Sequence, residues 1–443
     1  MQSQTGYYRL LKTNPAFRKL WYGQVVSELG SWLNSIAIYA LILKLTGSGM
    51  AMALAMMAKL LPVVVVSPLA GVMIDRMSRR RIMIVSDLLR SGVVLGFLLI
   101  GTREDLWLLY ALVILEVSLS GFFEPARSAI IPSIASREDL VTANALGGST
   151  WSAMLAFGAA LGGVVVSLFG IEAAFILDSF TFLISAWFIY RIPASAENKK
   201  NGAGGRPGQG GFQDLVDAAR YLLAEPGILV ASLLKTGLAV SGGVMTLIPL
   251  YAHKILSTPS AVSMGIGVMY SCRGIGAAFG PLIVKRIFGG SSRVLQRAIF
   301  AAFIAGGMFY FLLASSDTLW GAALSVALAH FFISIIWVFS TALIHLQAEE
   351  RFLGRIFSAE MALLTLMMGL SNWGVGVAVD RFAFSPNAAA FWMGIALMVP
   401  GVLWGGFLLL ARDRLRQRES VRLPSPANTD GFMRPPPPPG EQE

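Results

Sequence analysis

MAMALAMMAKLLPVVVVSPLAGVMIDRMSRRR, running from Met50 to Arg81, sets an apolar stretch interrupted only by Lys59 against a joint holding one acid and four arginines. An α-helix rises about 1.5 Å per residue, so some 20 such residues cross a hydrocarbon core about 30 Å thick with every backbone group bonded internally. The alternation recurs along the chain. It predicts spans at 18–44, 50–74, 82–101, 107–126, 142–167, 172–191, 228–252, 260–284, 294–314, 318–343, 357–379 and 388–411, an all-α membrane protein of twelve transmembrane helices. Hydrophobic residues make up 55% of the 443 and charged ones 14%, well short of the quarter that soluble domains carry. No soluble domain of useful size fits.

The net charge of +10 raises the question of nucleic acid, but the placement of the bases answers it. Arg9, Lys12, Arg18 and Lys19, then Arg76 to Arg81, Arg127 and Arg137, Arg191 to Arg220, Lys285 to Arg297, Arg351 and Arg355, and the tail from Arg412 occupy alternate joints. The other six joints hold only Lys44, Arg103, Lys254 and Arg381. By the positive-inside rule both termini are cytoplasmic and the chain is multi-pass in the cell (inner) membrane, with the bilayer as partner and no nucleic acid. The first apolar run is too long for a signal-peptide core and reads as a retained helix. Cys272 is the sole cysteine, and no Gly-Lys pair exists to build a phosphate-gripping loop, so ATP is not expected.

Expected units are a tail at 1–17, a six-helix bundle at 18–192, a polar linker at 193–227, a second bundle at 228–412 and an unstructured tail at 413–443. The halves echo each other. Gly71-Val-Met-Ile-Asp75-Arg76 closes the second span and Gly280-Pro-Leu-Ile-Val-Lys285 the eighth; Glu138-Asp139 precedes Gly162 much as Glu349-Glu350 precedes Gly374. Parallel six-helix repeats of this kind are found in transporters.

The joint Gly71-Val-Met-Ile-Asp75-Arg76-Met-Ser-Arg79-Arg80-Arg81 resembles the signature loop of the major facilitator superfamily. An acid there can meet a helix's positive end and neighbouring guanidiniums, forming a latch of Gly71, Asp75, Arg76, Arg79 and Arg80 on the cytoplasmic face. A plain orienting loop needs neither the acid nor the glycine. Asn14 to Trp21, Phe123-Glu-Pro-Ala-Arg127, Glu138 to Asn144, Phe175 to Phe182 and Leu346-Gln347 with Gly354-Arg355 are similar to the branch of macrolide and enterobactin exporters and, more distantly, lysophospholipid flippases. Many members of that branch carry an acid directly after the glycine of the first helix; here Ser31 follows Gly30.

The resemblance implies that the first, fourth, seventh and tenth helices line a central cavity. Each carries one ionisable residue away from its ends: Glu28, Glu116, Lys235 and His330. Such groups are costly in lipid and mark function by default. Gln24, Glu28, Ser31 and Ser35 recur at helical spacing, as do His330, Ser334, Trp337 and Thr341. Gln24, Glu28, Glu116, Lys235, His330 and Trp337 are therefore the candidate substrate or proton-binding residues. Structural pairing of the carboxylates, snorkelling of Lys235 and a satisfied core role for His330 remain open.

Asp87 and Arg90, three residues apart, read as a structural pair; Lys59 and Arg273 as salt bridges between halves; Asp178 and Glu360 as water-reached gates or caps. Gly92-xxx-Gly96, Gly158-xxx-Gly162 and Gly276-xxx-Gly280 read as close helix contacts. His253, His330 and His345 lack metal-ligand spacing, so no metal is expected. Pro435 to Pro439 is a stiff tail. The expected activity is secondary transport without a cofactor, driven by a proton gradient: export of a drug, macrolide-like compound or siderophore by a monomer. Rivals are a lysophospholipid transporter, a non-transporting sensor and nutrient uptake. No nucleophile, acid and base cluster suggests an enzyme.

Overall fold

A computed structural model describes residues 2–193, 220–221, 223–289 and 291–410, the side chains of 2–5, 68, 75, 350 and 351 excepted. Most of the linker and the proline-rich tail lie outside these residues. A short helix α1 (Gln2–Thr13) precedes α2 (Pro15–Thr46), α3 (Gly49–Arg76), α4 (Arg79–Gly96), α5 (Leu106–Ile134), α6 (Leu140–Phe169) and α7 (Ile171–Tyr190). After the linker come α8 (Pro226–Leu238), α9 (Val244–Ile255), α10 (Pro259–Phe288), α11 (Ser292–Ala314), α12 (Leu319–Gln347), α13 (Glu350–Asp380) and α14 (Pro386–Leu410). Among the described residues twelve helical spans are long and apolar enough to cross a membrane, α8 and α9 counting as one. The chain is an all-helical, multi-pass membrane protein.

Local chemistry sets the helix ends. Asn14 accepts the N–H of Phe17 at 2.9 Å, with Pro15 in the first turn, and Gly47 ends α2 in the left-handed region at φ 60°. Ser48, Ser78, Thr258, Ser291 and Thr318 cap α3, α4, α10, α11 and α12 in the same way. Two details depart from the sequence reading. The N-terminal tail is not merely polar: α1 folds against α6, with Leu10 fully buried and Arg9 2.9 Å from Asp139. The seventh span is broken by a 3₁₀ turn at Ala239–Gly243, where Gly242 and Gly243 press on Met368 and on Ser371 and Val375 of α13. Ser371 receives the N–H of Gly243 at 2.9 Å and donates to the carbonyl of Val240, satisfying backbone that the irregular turn frees.

The joints at residues 77–78, 135–139 and 348–349 share one face with α1, here the near face; those at 47–48, 170 and 256–258 form the far face. The first six spans pack among themselves, as do the last six, and the halves meet where α3 lies on α13 and α6 on α10. Their close contacts fall toward the far face. A Cβ on Gly267 would lie 2.7 Å from the Ala159 carbonyl oxygen, and one on Gly163 3.0 Å from the Gly267 Cα. Ser271 donates to the Ala156 carbonyl at 2.6 Å, and Gly376 packs on Ala53 and Met50. Toward the near face, Gly71, Gly148 and Gly354 have nothing within 4 Å of a built Cβ. The halves are sealed on the far side and splayed on the near side.

The three small-residue motifs divide. Gly158 and Gly162 receive Trp32 and Ile36 of α2, and Gly276 and Gly280 sit on the α12 backbone at Ala327 and Phe331. Gly96 receives Leu112 of α5, whose methyls would lie 3.1 Å from a Cβ there, but Gly92 has open space, so only one glycine of that motif serves a close helix contact.

Candidate functional site

Each half buries an ion-paired group among the described residues. In the N-terminal half Arg90 of α4 lies 3.7 Å from Asp87 and 3.5 Å from Glu116 of α5, donates to Ser31 of α2 at 3.3 Å, and stacks over Phe182 of α7 at 3.9 Å. Glu116 also receives Asn34 at 3.0 Å. One guanidinium thus joins four helices. Its rigid fork of donors suits that use better than an ammonium would.

Asp178 of α7 is fully buried, receives Thr181 at 3.1 Å and leaves Oδ2 without a hydrogen bond. It and Thr181 fill the space where a side chain on Gly30 would stand, so only glycine fits on α2 at that level. The sequence reading of Asp178 as a water-reached end group is corrected: α2 covers it completely.

Nearer the open face, Gln24 donates to Glu28 at 2.7 Å and accepts from Arg127 at 3.0 Å, while Arg127 holds Glu124 at 2.9 Å. Glu28 is half-buried and its Oε2 has no hydrogen bond. Gln24 and Glu28 therefore do come together. Glu116 belongs instead to the Arg90 group.

In the C-terminal half Lys235 of α8 pairs with Glu360 of α13 at 2.8 Å, both essentially buried. The ammonium lies 4.9 Å from the ring centre of Trp337 on α12 and 5.6 Å from that of Phe357 on α13. Two expectations are corrected here. Lys235 does not snorkel, because an acid waits beside it, and Glu360 is no solvated cap. His330 lies apart, its Nδ1 3.0 Å from the carbonyl of Val326 one turn earlier on α12.

Among the described residues neither Lys59 nor Arg273 makes the expected salt bridge between halves. Lys59 donates to Ser35 at 2.6 Å and faces Tyr39, both in its own half, and Arg273 faces Tyr270. The reason is in the facing helices: α6, which α10 meets, has no charged residue, and on α13 Glu360 is taken by Lys235. The acid that does bridge the halves was not singled out. Asp380, at the end of α13, accepts from the Ser48 hydroxyl and from the N–H groups of Gly49 at 2.8 Å and Met50 at 2.9 Å. A carboxylate on the positive end of α3 closes the far seam. Asp380→Ala should loosen it by about 1–2 kcal/mol, a factor of about 5–30 in the closed-to-open ratio. Labelling of a cysteine at buried Ser263 by a membrane-impermeant maleimide, in a Cys272→Ser background, reads this directly; unchanged labelling would show that Asp380 is not a fastener.

On the near face, Arg79 donates to the Ala129 carbonyl at 2.8 Å, and Arg80 to those of Ile189 and Tyr190 at 3.3 and 2.5 Å. These guanidiniums sit on the negative ends of α5 and α7. The side chain of Asp75, the acid of the expected latch, lies outside the described residues, and Arg76 is exposed. Between the halves on the far side lies a cleft of about 360 Å³, lined in part by Lys44, Glu172 and His253.

Two bundles related by like contacts, with ionisable groups buried in each, define a membrane transporter. The chain belongs to the Major Facilitator Superfamily, whose family model matches residues 20–372. It is 25% identical over 433 residues to the enterobactin exporter EntS of Salmonella choleraesuis, covering 92% of this chain and 95% of that protein. BacE of Bacillus subtilis, described as a candidate bacilysin exporter, is 24% identical over 81% of this chain and 86% of its own. Macrolide efflux protein A of Streptococcus pyogenes is 28% identical over 40% of this chain and 45% of its own. The fold matches the peptide transporter PepTSo at TM-score 0.67 and 11% identity, covering 91% of this chain and 98% of that one. It matches the nucleoside transporter NupG at TM-score 0.67 and 12% identity, covering 89% and 98%. The protein is a transporter of small molecules with exporter-type relatives, and not an enzyme.

Proposed function

We propose that the protein exports an amphipathic small molecule, of the drug, macrolide or siderophore kind, across the cell (inner) membrane in exchange for protons. The near face, rich in arginine and lysine, is the cytoplasmic one. The observation that carries the reading is the pair of halves sealed on the far side and splayed on the near side, with ionisable groups buried behind the opening. Rocking of the halves would present those groups to each side in turn, and the Asp75 loop would hold the cytoplasm-closed state. Glu28, with one oxygen unbonded at the open side, and Glu116, tied to Arg90, are the candidate proton carriers. Neutralising either changes the charge that a substrate meets.

Proteoliposomes test this with a panel of macrolides and siderophores under an imposed proton gradient. Glu28→Gln should lower gradient-driven accumulation at least tenfold, about 1.4 kcal/mol of lost coupling, while downhill exchange continues. Glu116→Gln should do the same if it shares the proton. Wild-type accumulation by both variants would remove these residues from coupling.

A further inference from the structure

We propose that the Lys235–Glu360 pair beneath Trp337 and Phe357 is a recognition site for a small zwitterion, whose carboxylate takes Lys235 and whose ammonium takes Glu360. This rests on the reading of the protein as a transporter and narrows its substrate to a chemical class that macrolides do not meet.

The geometry already displays half of such a complex. An ammonium, the protein's own, lies against a carboxylate at 2.8 Å with one aromatic ring centre at 4.9 Å and another at 5.6 Å. A carboxylate with aromatic faces around it is the usual receptor for a cationic nitrogen. Lys235 and Glu360 each sit about ten residues along their helices from the near end, so the two meet at one level, about 15 Å along the helix axes. The pair is unfinished as a structural pin. Glu360 Oε1 is buried without a hydrogen bond, and Ser232, one turn before Lys235, spends its hydroxyl on the Ile228 carbonyl. A pair that served only to join α8 to α13 would gain from a second donor on that oxygen, or from apolar residues in place of both charges. Trp337, which roofs the ammonium, is 40% exposed, whereas the pair beneath it is buried.

Charge arithmetic selects the ligand. An anion that took Lys235 would leave Glu360 buried and unpaired, and a cation that took Glu360 would strand Lys235; each outcome is strongly unfavourable in a dry site. A zwitterion parts the pair and re-pairs both members, so no net charge is buried. Its ammonium inherits the two rings.

Equilibrium binding to the full-length protein in lipid nanodiscs tests the assignment with three probes: leucyl-tyrosine, its N-acetyl form and its C-terminal amide. Leucyl-tyrosine should bind at least tenfold tighter than either blocked form. In Glu360→Gln the N-acetyl form should draw level with it, and in Lys235→Met the amide should. The double variant Lys235→Met/Glu360→Gln keeps the charge balance, which guards against a misfolded single variant, and should bind all three within about twofold. Trp337→Leu should weaken the free dipeptide and the amide but spare the N-acetyl form. The proposal is overturned if the wild type binds none of the three, ranks them equally, or keeps its ranking in the double variant. Binding is read without a gradient, so the two readings fail separately. Selective binding without proton-driven accumulation would sink the coupling reading alone; accumulation of a macrolide or siderophore without zwitterion preference would sink only this one.

Discussion

An Arg90→Met protein is expected to lose most of its folded yield, because removing that guanidinium strips two buried carboxylates of their base at once. Asp87 is fully buried and Glu116 nearly so, and neither has another cation within ion-pairing distance among the described residues. Truncating one partner of a buried ion pair costs about 3–5 kcal/mol, since the remaining charge has no water to return to. Methionine fills the volume of the side-chain stem but not the guanidinium's place over Phe182, so the single variant removes charge and that contact together. Neutralising the acids should then restore much of the protein: Arg90→Met with Asp87→Asn and Glu116→Gln is expected to recover detergent-solubilised yield and melting temperature toward wild type. That recovery distinguishes charge from shape. If the triple variant is as unstable as the single one, the contacts of the guanidinium with Ser31 and Phe182, and not its charge, hold the four helices together.

The twelve spans were legible because each carries its own evidence: length, apolarity and a charged joint are local properties of the sequence. The intramembrane charges were equally conspicuous, since Glu28, Glu116, Asp178 and Lys235 interrupt apolar runs. Their partners were not, except where the two lay one turn apart on one helix, as Gln24 and Glu28 do. Asp87 and Arg90 lie one turn apart on a single helix, where spacing alone predicts the pair. Lys235 and Glu360 are separated by 125 residues, and their meeting depends on how α8 and α13 are rotated. Asp380 eluded the sequence for a different reason. Its partners are backbone N–H groups at the start of α3, which every helix possesses and no residue type advertises. The inter-half bridges expected at Lys59 and Arg273 fail on a point that the sequence did contain. The seam helix α6, from Leu140 to Phe169, offers no acid to Arg273. Small residues make that seam instead, and Gly163 stood one position beyond the motif that spacing picked out.

That seam sets the second large expectation. Gly267→Val should prevent the far side from closing, leaving the protein in a far-open state with transport reduced at least tenfold. A Cβ at this position would lie 2.7 Å from the Ala159 carbonyl oxygen, 2.8 Å from the Gly163 Cα and 3.1 Å from the Gly163 nitrogen. All three are backbone atoms of the opposite half, so no change of rotamer relieves the clash; α6 and α10 must separate as bodies. Since each half buries its own core, the folded state should survive, and the melting temperature should move far less than transport does. The reporter is a cysteine at Ser263, 2% exposed at this seam, in a Cys272→Ser background. Its labelling from the far side by an impermeant maleimide should rise about tenfold or more. Gly92→Val on α4 is the control, because a Cβ there meets nothing within 4 Å. If Gly267→Val transports normally, the halves do not need this contact to complete a cycle, and closure of the far side must depend on the Asp380 fastening at the start of α3 instead.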